Sequence, residues 1–469
     1  MNIFLIAWRN LWRNKRRTLI TVASVFFAVF FALVMRSLQL GTYNHMYKNV
    51  IEQYTGYLQV QHQDFWDSKT IDNIFEPDSE VEQAILSDPN AGTIVPRLES
   101  FALVSSGTLT KGVMVLGIDP EKEVHLSDVA SRLVRYRLTE ESIGRLKLEL
   151  PQKYSQKLEL LSGRSFSNNS SVLLDLGVGD EDSATVLSLM RKYAFFPNGF
   201  ITNDKPGAVI GDRLSVFLNA AVGDTIVLIG QGYQGTTAAG KYRIDGIVRM
   251  PTPDFDSRIV YLPVKYSQEL YNAPGMVTSL AITVKDNSDE AIDRMISSLG
   301  SKIKPPLRVI GWREMNELMI NQMDADSKSG SVMTAILYLV IAFGIFGTVL
   351  MMTAERRREF GVLVAIGMQK TKLATIVSLE MIYIGIMGLA SGALASLPVI
   401  YYGYYNPIRF TGEMGKMYEN YGMEPVLPML LPDTYFLWQS FVIAIIVLIA
   451  IFYPVRKITK MKVVNSLKA

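Results

Sequence analysis

Residues 355–372 read ERRREFGVLVAIGMQKTK and stand between two long apolar runs. The preceding run, residues 329–354, has 26 residues without a charge, and the next one starts at Leu373. A short basic segment between two runs of membrane-spanning length is typical of a cytoplasmic loop. One side of a helix built on this segment gathers Phe360, Leu363, Val364, Ile366 and Gly367, which predicts an amphipathic helix that can dock onto a soluble partner. The alternative is a solvated loop whose arginines only fix the topology.

Two further apolar runs and one interrupted run complete a set of four. Residues 18–35 and 434–455 are uncharged, and residues 373–400 are interrupted only by Glu380. At a rise of about 1.5 Å per residue, each run reaches roughly the thickness of a bilayer core. The sequence therefore predicts four transmembrane α-helices. The predicted transmembrane helices span 18–40, 329–354, 373–402 and 434–455. On the cytoplasmic side we expect an interfacial basic amphipathic helix at 1–17, the cytoplasmic helix at 355–372 and a basic tail at 456–469. On the outer side we expect an extracytoplasmic domain at 41–328 and a loop at 403–433.

Basic residues set the predicted orientation of the chain. Residues 9–17, 356–372 and 456–468 each hold five lysines or arginines, opposed only by Glu355 and Glu359. Because basic loops stay on the cytoplasmic side, we expect both termini in the cytoplasm and residues 36–328 and 401–433 outside. No Ala-x-Ala-like site follows residues 18–35, so we expect an uncleaved anchor rather than a signal peptide.

The long segment after the first apolar run mixes two kinds of pattern. Alternating runs predict strands, and amphipathic runs predict helices. We therefore expect a large α+β extracytoplasmic domain between helices one and two, with an inserted subdomain at about 128–206. The predicted strands are 57–61, 103–105, 112–116, 225–229, 242–248 and 280–284, and the predicted helices are 78–86, 183–193, 265–270 and 288–299.

Catalytic patterns are weak in this sequence. Residues 235–242, GTTAAGKY, resemble a phosphate-binding loop, but Tyr242 stands where a magnesium-binding hydroxyl is needed and a strand pattern follows. A glycine-rich connection between strands is the better interpretation. The three histidines lack the spacing of metal ligands, and the chain has no cysteine. We therefore predict no catalytic residue and no metal site.

Glu380 and a set of glycines are the notable features of the third apolar run. An ionisable group inside a membrane span is a functional candidate, and the alternative is a carboxylate that hydrogen-bonds a neighbouring helix. Gly385, Gly388 and Gly392 form a face of small residues, which allows close helix packing within the chain or in a dimer.

Three motifs give the chain a family resemblance. AWRNLWRNKRRTLIT at 7–21, ERRREFGVLVAIG at 355–367 and YPVRKITKMKVVNSLKA at 453–469 resemble segments of FtsX-like permeases, the membrane subunits of ABC systems of the MacB and LolC/LolE type. In the last motif, Ser466 and Leu467 stand where Ala-Leu is commoner. The layout of one span, a large outer domain and three further spans also resembles this family.

The resemblance implies how such a chain would work. An ABC ATP-binding subunit would hold ATP and magnesium, while this chain would hold no cofactor and would not be an enzyme. A second permease chain, identical or related, would complete a dimer in the bacterial inner membrane, and ATP-driven motion would pass to the periplasmic domain by mechanotransmission. The residues that would contact the ATPase through the coupling helix are Arg356, Arg357, Arg358, Glu359, Phe360, Gly361, Val362, Leu363, Ala365, Ile366 and Gly367.

The resemblance leaves the cargo open. Lipoprotein release from the inner membrane is the favoured expectation, because MacB-type chains usually begin with their own ATPase domain. MacB-like efflux of a periplasmic substrate is the alternative, as is FtsX-like regulation of cell-wall hydrolases without transport. Further expected partners are membrane lipid and a periplasmic adaptor or lipoprotein cargo, but not nucleic acid.

Overall fold

The computed structural model describes residues 3–13, 15–410, 412–420 and 424–460. The chain divides into two units. The helical unit comprises the described residues of 1–45, 319–408 and 426–469, and the α+β unit comprises those of 46–318 and 409–425.

Long helices dominate the helical unit. They are the entry helix Ile3–Arg13, the first long helix Lys15–Val50, the second long helix Glu317–Glu355, the linker helix Arg357–Ala365, the third long helix Lys370–Tyr405 and the fourth long helix Thr434–Thr459. Within the described residues, the stretches long and apolar enough to cross a membrane are Thr18–Thr55, Glu317–Glu355, Lys370–Tyr405 and Thr434–Thr459. The predicted set of four apolar helices is confirmed.

These helices run past the apolar segments from which they were predicted. The second long helix begins at Glu317, twelve residues before the uncharged run at 329–354. Residues 317–328, ELMINQMDADSK, are polar but contain good helix formers, so the helix continues where the apolar pattern stops. Hydrophobicity alone identifies the part of a helix that can lie in lipid. It does not identify the residues at which the helix begins and ends.

Close approaches between helices form the core of the helical unit. A Cβ atom on Gly388 would lie 2.5 Å from Cβ of Val25, and one on Gly392 would lie 2.7 Å from the carbonyl oxygen of Phe26, both on the first long helix. A Cβ atom on Gly385 would lie 2.6 Å from Cγ1 of Val447 on the fourth long helix. The structure thus places all three predicted glycines against neighbouring helices of the same chain, where only glycine fits.

The α+β unit is built on a mixed sheet. Its strands are β1 Leu58–His62, β2 Ala91–Ser106, β3 Leu109–Ile118, β4 Tyr136–Arg137, β5 Ser165–Phe166, β6 Ala208–Gly211, β7 Thr225–Gln231, β8 Thr237–Val248, β9 Ile259–Pro263, β10 Ser279–Val284 and β11 Leu307–Gly311. Two further strands are β12 Ile408–Arg409, which spans the boundary between the units, and β13 Val426–Leu427, which belongs to the helical unit. The main sheet has the order β11-β1-β10-β2-β3-β9-β6-β8-β7. The pairs β3–β9 and β6–β8 are parallel, and the other neighbours are antiparallel.

The long strand β2 closes part of this sheet into a ring. It pairs with β10 along its first part, with β3 along its second part and with β7 at residues 102–105. The ring β2-β3-β9-β6-β8-β7 surrounds a core that includes Leu98, Val104, Ile210 and Leu228. Outside the ring, β1, β10 and β11 pack against the helices Ser79–Leu86 and Asp289–Lys302.

Helices of 4 to 14 residues complete the α+β unit, and they include an insertion with a core of its own. Residues between Tyr136 and Ala194 form a separate hydrophobic cluster around Leu146, Leu158 and Met190. The α-helices of the unit, including those of the insertion, are Phe65–Ser68, Ser79–Leu86, Pro120–Glu123, Glu140–Glu149, Ser155–Leu160, Asn169–Leu176, Asp180–Tyr193, Asp212–Leu218, Pro253–Asp256, Val264–Leu270, Asp289–Lys302, Trp312–Met315 and Gly412–Asn420.

The predicted α+β class is confirmed, and two of the strands that the sequence pattern missed, β6 and β9, share one property. Every residue of β6 and β9 is buried, so neither AVIG nor IVYLP alternates between apolar and polar side chains. The phosphate-loop lookalike was expected to be a connection between strands, but only residues 235–236 precede β8 and residues 237–242 lie within it. Lys241 lies within β8 and pairs with Val227 of β7.

Candidate functional site

The linker helix Arg357–Ala365 has a buried face and an exposed face. Phe360 is 2% exposed and packs with Leu373 and Val377 of the third long helix and Ile458 of the fourth. Leu363 and Val364 pack against the same cluster. The prediction that Phe360 and Leu363 face a soluble partner is therefore corrected, and Ile366, which was predicted on the same side as Phe360, is exposed instead. Because the linker is short, its apolar side stays against the helices that it joins.

The exposed face of the linker helix carries a different set of residues. Arg358, Val362, Ala365 and Ile366 are exposed and follow one another at helical spacing, so they form one stripe. Val362 is 45% exposed and Ile366 is 76% exposed. We call these four residues the exposed stripe. An apolar stripe that begins with an arginine, on a helix already anchored through its other face, is suited to contact another protein.

A glycine ends the linker helix. Gly367 has a φ of 102°, in the left-handed region that favours glycine. The backbone N–H of Gly367 donates to the carbonyl of Val364 at 3.1 Å, and that of Met368 donates to the carbonyl of Leu363 at 3.0 Å. This glycine C-terminal turn fixes the direction of Ile366 and leads the chain into the third long helix, which begins at Lys370.

Glu380 lies at the centre of a buried polar network in the helical unit. The Glu380 carboxylate is 2% exposed and forms an ion pair with Arg356, whose side chain is 10% exposed. Its other oxygen accepts a hydrogen bond of 2.7 Å from the side-chain amide of Asn10 on the entry helix. Both carboxylate oxygens are therefore satisfied inside the protein, which offsets the cost of burying the charge.

The network continues to the surface through Glu359. The Arg356 guanidinium also lies 3.3 Å from Glu359, and Arg13 of the entry helix lies 2.6 Å from the same carboxylate oxygen. Two ion-pair contacts and one hydrogen bond thus connect the entry helix, the linker helix and the third long helix. A groove of about 640 Å³ runs between these three helices, and Val362 of the exposed stripe is among its lining residues.

The sequence pattern identified only part of this network. Glu380 was found because a charge interrupts an apolar run, and Arg356 and Glu359 because the linker is basic. Asn10 and Arg13 carry no such signal, because a polar residue on an amphipathic helix is ordinarily exposed to solvent. Residues 461–469 of the closing motif lie outside the described residues.

Other candidate sites remain unremarkable. Among the residues that the structure describes, no group of three or more His, Asp or Glu side chains gathers as metal ligands. His62 lies 3.6 Å from Asp64, and His62 is half-buried while Asp64 is exposed.

Comparisons with known proteins agree with this arrangement. Residues 331–463 match the family model described as FtsX-like permease C-terminal. The chain is 27% identical over 198 residues to an uncharacterized ABC transporter permease of Methanocaldococcus jannaschii, covering 40% of this chain and 46% of that protein. It is 22% identical over 205 residues to an uncharacterized ABC transporter permease protein of Mycobacterium tuberculosis, covering 42% of this chain and 22% of that protein. The matches therefore span less than half the length of either relative.

Two solved structures are similar over part of the chain. The periplasmic region of MacB from Actinobacillus actinomycetemcomitans is 12% identical with a TM-score of 0.30, covering 58% of this chain and 97% of that one. The extracellular domain of the noncanonic ABC-type transporter YknZ from Gram-positive bacteria is 8% identical with a TM-score of 0.28, covering 55% of this chain and all of that one. Residues 331–463 thus match the FtsX-like permease C-terminal model, and parts of the chain are similar to ABC transporter permeases.

Proposed function

We propose that this chain is the membrane subunit of an ABC transporter and that a separate ATP-binding subunit docks on the exposed stripe. The observation that carries the proposal is the linker helix, which is anchored by Phe360 on one face and presents Val362 and Ile366 on the other. The family match over residues 331–463 includes the whole of this helix. ATP and magnesium then belong to the partner subunit, and both termini of this chain face the cytoplasm.

The polar network around Glu380 would transmit movement of the linker helix to the helices beside it. The linker helix is joined through Arg356 to Glu380 on the third long helix and through Glu359 to Arg13 on the entry helix. A push on the exposed stripe therefore acts on both helices at once. We propose that two permease chains approach each other when the ATP-binding subunits close, and that the α+β units move as rigid bodies in response.

The cargo that we propose is a lipoprotein released or exported from the membrane. In the described parts of the apolar helices, the buried polar side chains are few, and the carboxylate of Glu380 is paired with Arg356. Such helices offer little polar lining for a hydrophilic substrate, which favours work done outside the bilayer on a lipid-anchored one.

Docking is tested by one substitution on the exposed stripe. Ile366→Asp places a charge on the most exposed apolar residue of the linker helix, so it should abolish copurification with the ATP-binding subunit and the associated ATP hydrolysis. Leu148→Asp is the matched control, because Leu148 is an 86% exposed leucine in the α+β unit. Full ATP hydrolysis by the Ile366→Asp complex would refute docking on the stripe.

The orientation is tested by cysteine labelling, since the natural chain has no cysteine. Single cysteines at Ser167 and Gly412 should react with a membrane-impermeant reagent in intact cells or spheroplasts. A cysteine at Gln369 should react only after permeabilisation. Labelling of Gln369 from outside would place the linker helix on the wrong side for an ATP-binding partner.

The cargo is tested in proteoliposomes that hold the chain and its ATP-binding subunit. We expect ATP to release a fluorescent triacylated lipoprotein from the membrane into solution. The same protein without acyl chains, enclosed in the lumen, should stay where it is. ATP-driven movement of the unacylated protein would instead support efflux.

A further inference from the structure

A second groove in the helical unit has an unusual charge. It has a volume of about 810 Å³ and lies between the end of the second long helix, the linker helix and the end of the fourth long helix. This volume is within the range of roughly 300–1,000 Å³ that is usual for small-molecule sites. It differs from the groove beside Asn10, because its lining includes Phe360 and residues of the fourth long helix, which do not line that groove.

The charged residues that line the groove are all basic. Arg456, Lys457 and Lys460 line it, together with Arg357 from the linker helix. Arg456, Lys457 and Lys460 are exposed, and no acidic side chain is among the described residues that line the groove. By contrast, the groove beside Asn10 includes Glu355 and Glu359. Arg456, Lys457 and Lys460, with no acidic side chain among the described lining residues, make a site that is complementary to an anion.

The other part of the groove is apolar and belongs to the apolar helices. Leu350 and Met351 come from the final turns of the second long helix, and Met351 is 60% exposed. Tyr453 comes from the fourth long helix, one turn before Lys457, and its ring packs edge-on against Phe346 at 5.1 Å. Tyrosine is enriched at the boundary between hydrocarbon and headgroups. Along the groove, the apolar residues are thus followed by the basic residues, as the acyl chain of a lipid is followed by its headgroup.

We propose that this groove binds an anionic phospholipid, with the headgroup phosphate among Arg456, Lys457 and Lys460 and an acyl chain along Leu350 and Met351. A soluble protein partner could approach the basic end, but the apolar wall lies on helices that suit a bilayer. The inference rests only on the part of the proposed function that places the apolar helices in a membrane. It is independent of docking by an ATP-binding subunit, so the two can fail separately.

Native mass spectrometry of the purified full-length chain in detergent tests the site, with phosphatidylglycerol and phosphatidylcholine as probes. The groove variant is Arg456→Gln/Lys457→Gln/Lys460→Gln. The matched control, Arg9→Gln/Lys15→Gln/Arg16→Gln, removes three exposed cations that do not line the groove. Each cation near an anionic lipid contributes roughly a fivefold gain in affinity. We expect phosphatidylglycerol binding to weaken about tenfold or more in the groove variant and by less than about twofold in the control.

Two further experiments distinguish binding of a whole phospholipid from binding of a free phosphate anion. Glycerol phosphate, which has the headgroup anion but no acyl chain, should not displace phosphatidylglycerol. Met351→Trp keeps every charge but narrows the apolar wall, so it should also weaken phosphatidylglycerol binding. Thermal unfolding of each variant checks that the fold is kept. Equal losses in the groove and control variants, no preference over phosphatidylcholine, displacement by glycerol phosphate, or unchanged binding in Met351→Trp would each overturn the proposal.

Discussion

Arg97–Glu123 in the α+β unit and Arg356–Glu380 in the helical unit are both buried ion pairs, but they are held in different ways. Arg97 is 2% exposed and Glu123 is 1% exposed. Two guanidinium nitrogens of Arg97 contact the two oxygens of Glu123, one of them at 3.1 Å. Ser127 donates to the same carboxylate, and Arg97 also donates to the backbone carbonyl of Tyr54. Every partner of this pair belongs to one folded unit.

The Arg356–Glu380 pair is less enclosed and draws on separate segments. One nitrogen of Arg356 contacts one oxygen of Glu380, and the second oxygen is left to Asn10 of the entry helix. Glu359 takes a further contact with Arg356 and connects it to Arg13. The first pair lies within one folded unit, while the second connects the entry helix, the linker helix and the third long helix. Our proposal that movement passes through the linker helix therefore depends on the second pair and not on the first.

The largest expected effect is on the better enclosed pair. Arg97→Met leaves the Glu123 carboxylate buried without its charged partner and with only the Ser127 hydroxyl as a donor, which costs about 3–5 kcal/mol of unfolding free energy. Denaturant unfolding of the full chain in detergent should show this loss. Arg97→Met/Glu123→Leu removes both charges and should recover most of it. If the double variant is as unstable as the single one, the pair is not what stabilises this region.

Loss of Arg356 should have a smaller effect on stability and a large one on coupling. Arg356→Met should cost about 3 kcal/mol, at the low end for a buried pair, because Asn10 still binds Glu380. Arg356→Met/Glu380→Leu should regain stability but not the ATP hydrolysis of the complex, since the connection to the third long helix stays broken. A double variant with normal coupling would show that the network is only structural.

The α+β unit should lose stability as the pH rises through neutrality. Burial and the nearby charge of Asp212 raise the pKa of Asp256 from 3.8 to about 7, against hydrogen bonds from the backbone N–H groups of Met250 and Arg213. The folded state therefore keeps a proton that the unfolded state has already lost. The stabilisation is complete at low pH, and about 2–3 kcal/mol should disappear between about pH 5 and about pH 8.

The variant Asp256→Asn tests this pH dependence. It keeps a side-chain oxygen for the backbone donors but cannot ionise, so its unfolding free energy should change less with pH than that of the natural chain. Thermal unfolding at about pH 5 and about pH 8 measures the difference. Identical pH profiles for the two chains would rule out Asp256 as the cause.

The smallest expected effect concerns the exposed end of the network. Arg13 and Glu359 have side chains that are 61% and 50% exposed. Arg13→Gln should therefore cost less than about 1 kcal/mol, and added salt should reduce even that. A loss as large as that of Arg356→Met would mean that the two ends of the network are equally enclosed in the membrane.

The sequence predicted the membrane helices well because lipid demands long uncharged runs, which are visible without a structure. It predicted the strands that alternate, such as β1 and β8, and missed β6 and β9, whose residues are buried on both faces. It located the linker helix but assigned its apolar face to a partner. Phe360 instead meets Leu373 and Ile458, which are 13 and 98 residues away in sequence. Such distant packing leaves no local pattern to detect.

The central claim is that ATP hydrolysis belongs to a partner that acts through the linker helix. The direct measurement is the ATP hydrolysis rate of the purified chain alone, of the chain with its ATP-binding subunit, and of the same complex carrying Ile366→Asp. We expect no hydrolysis by the chain alone, robust hydrolysis by the complex, and a return to the basal rate of the free subunit in the variant. Hydrolysis by the isolated chain, or full stimulation in the Ile366→Asp complex, would contradict this account.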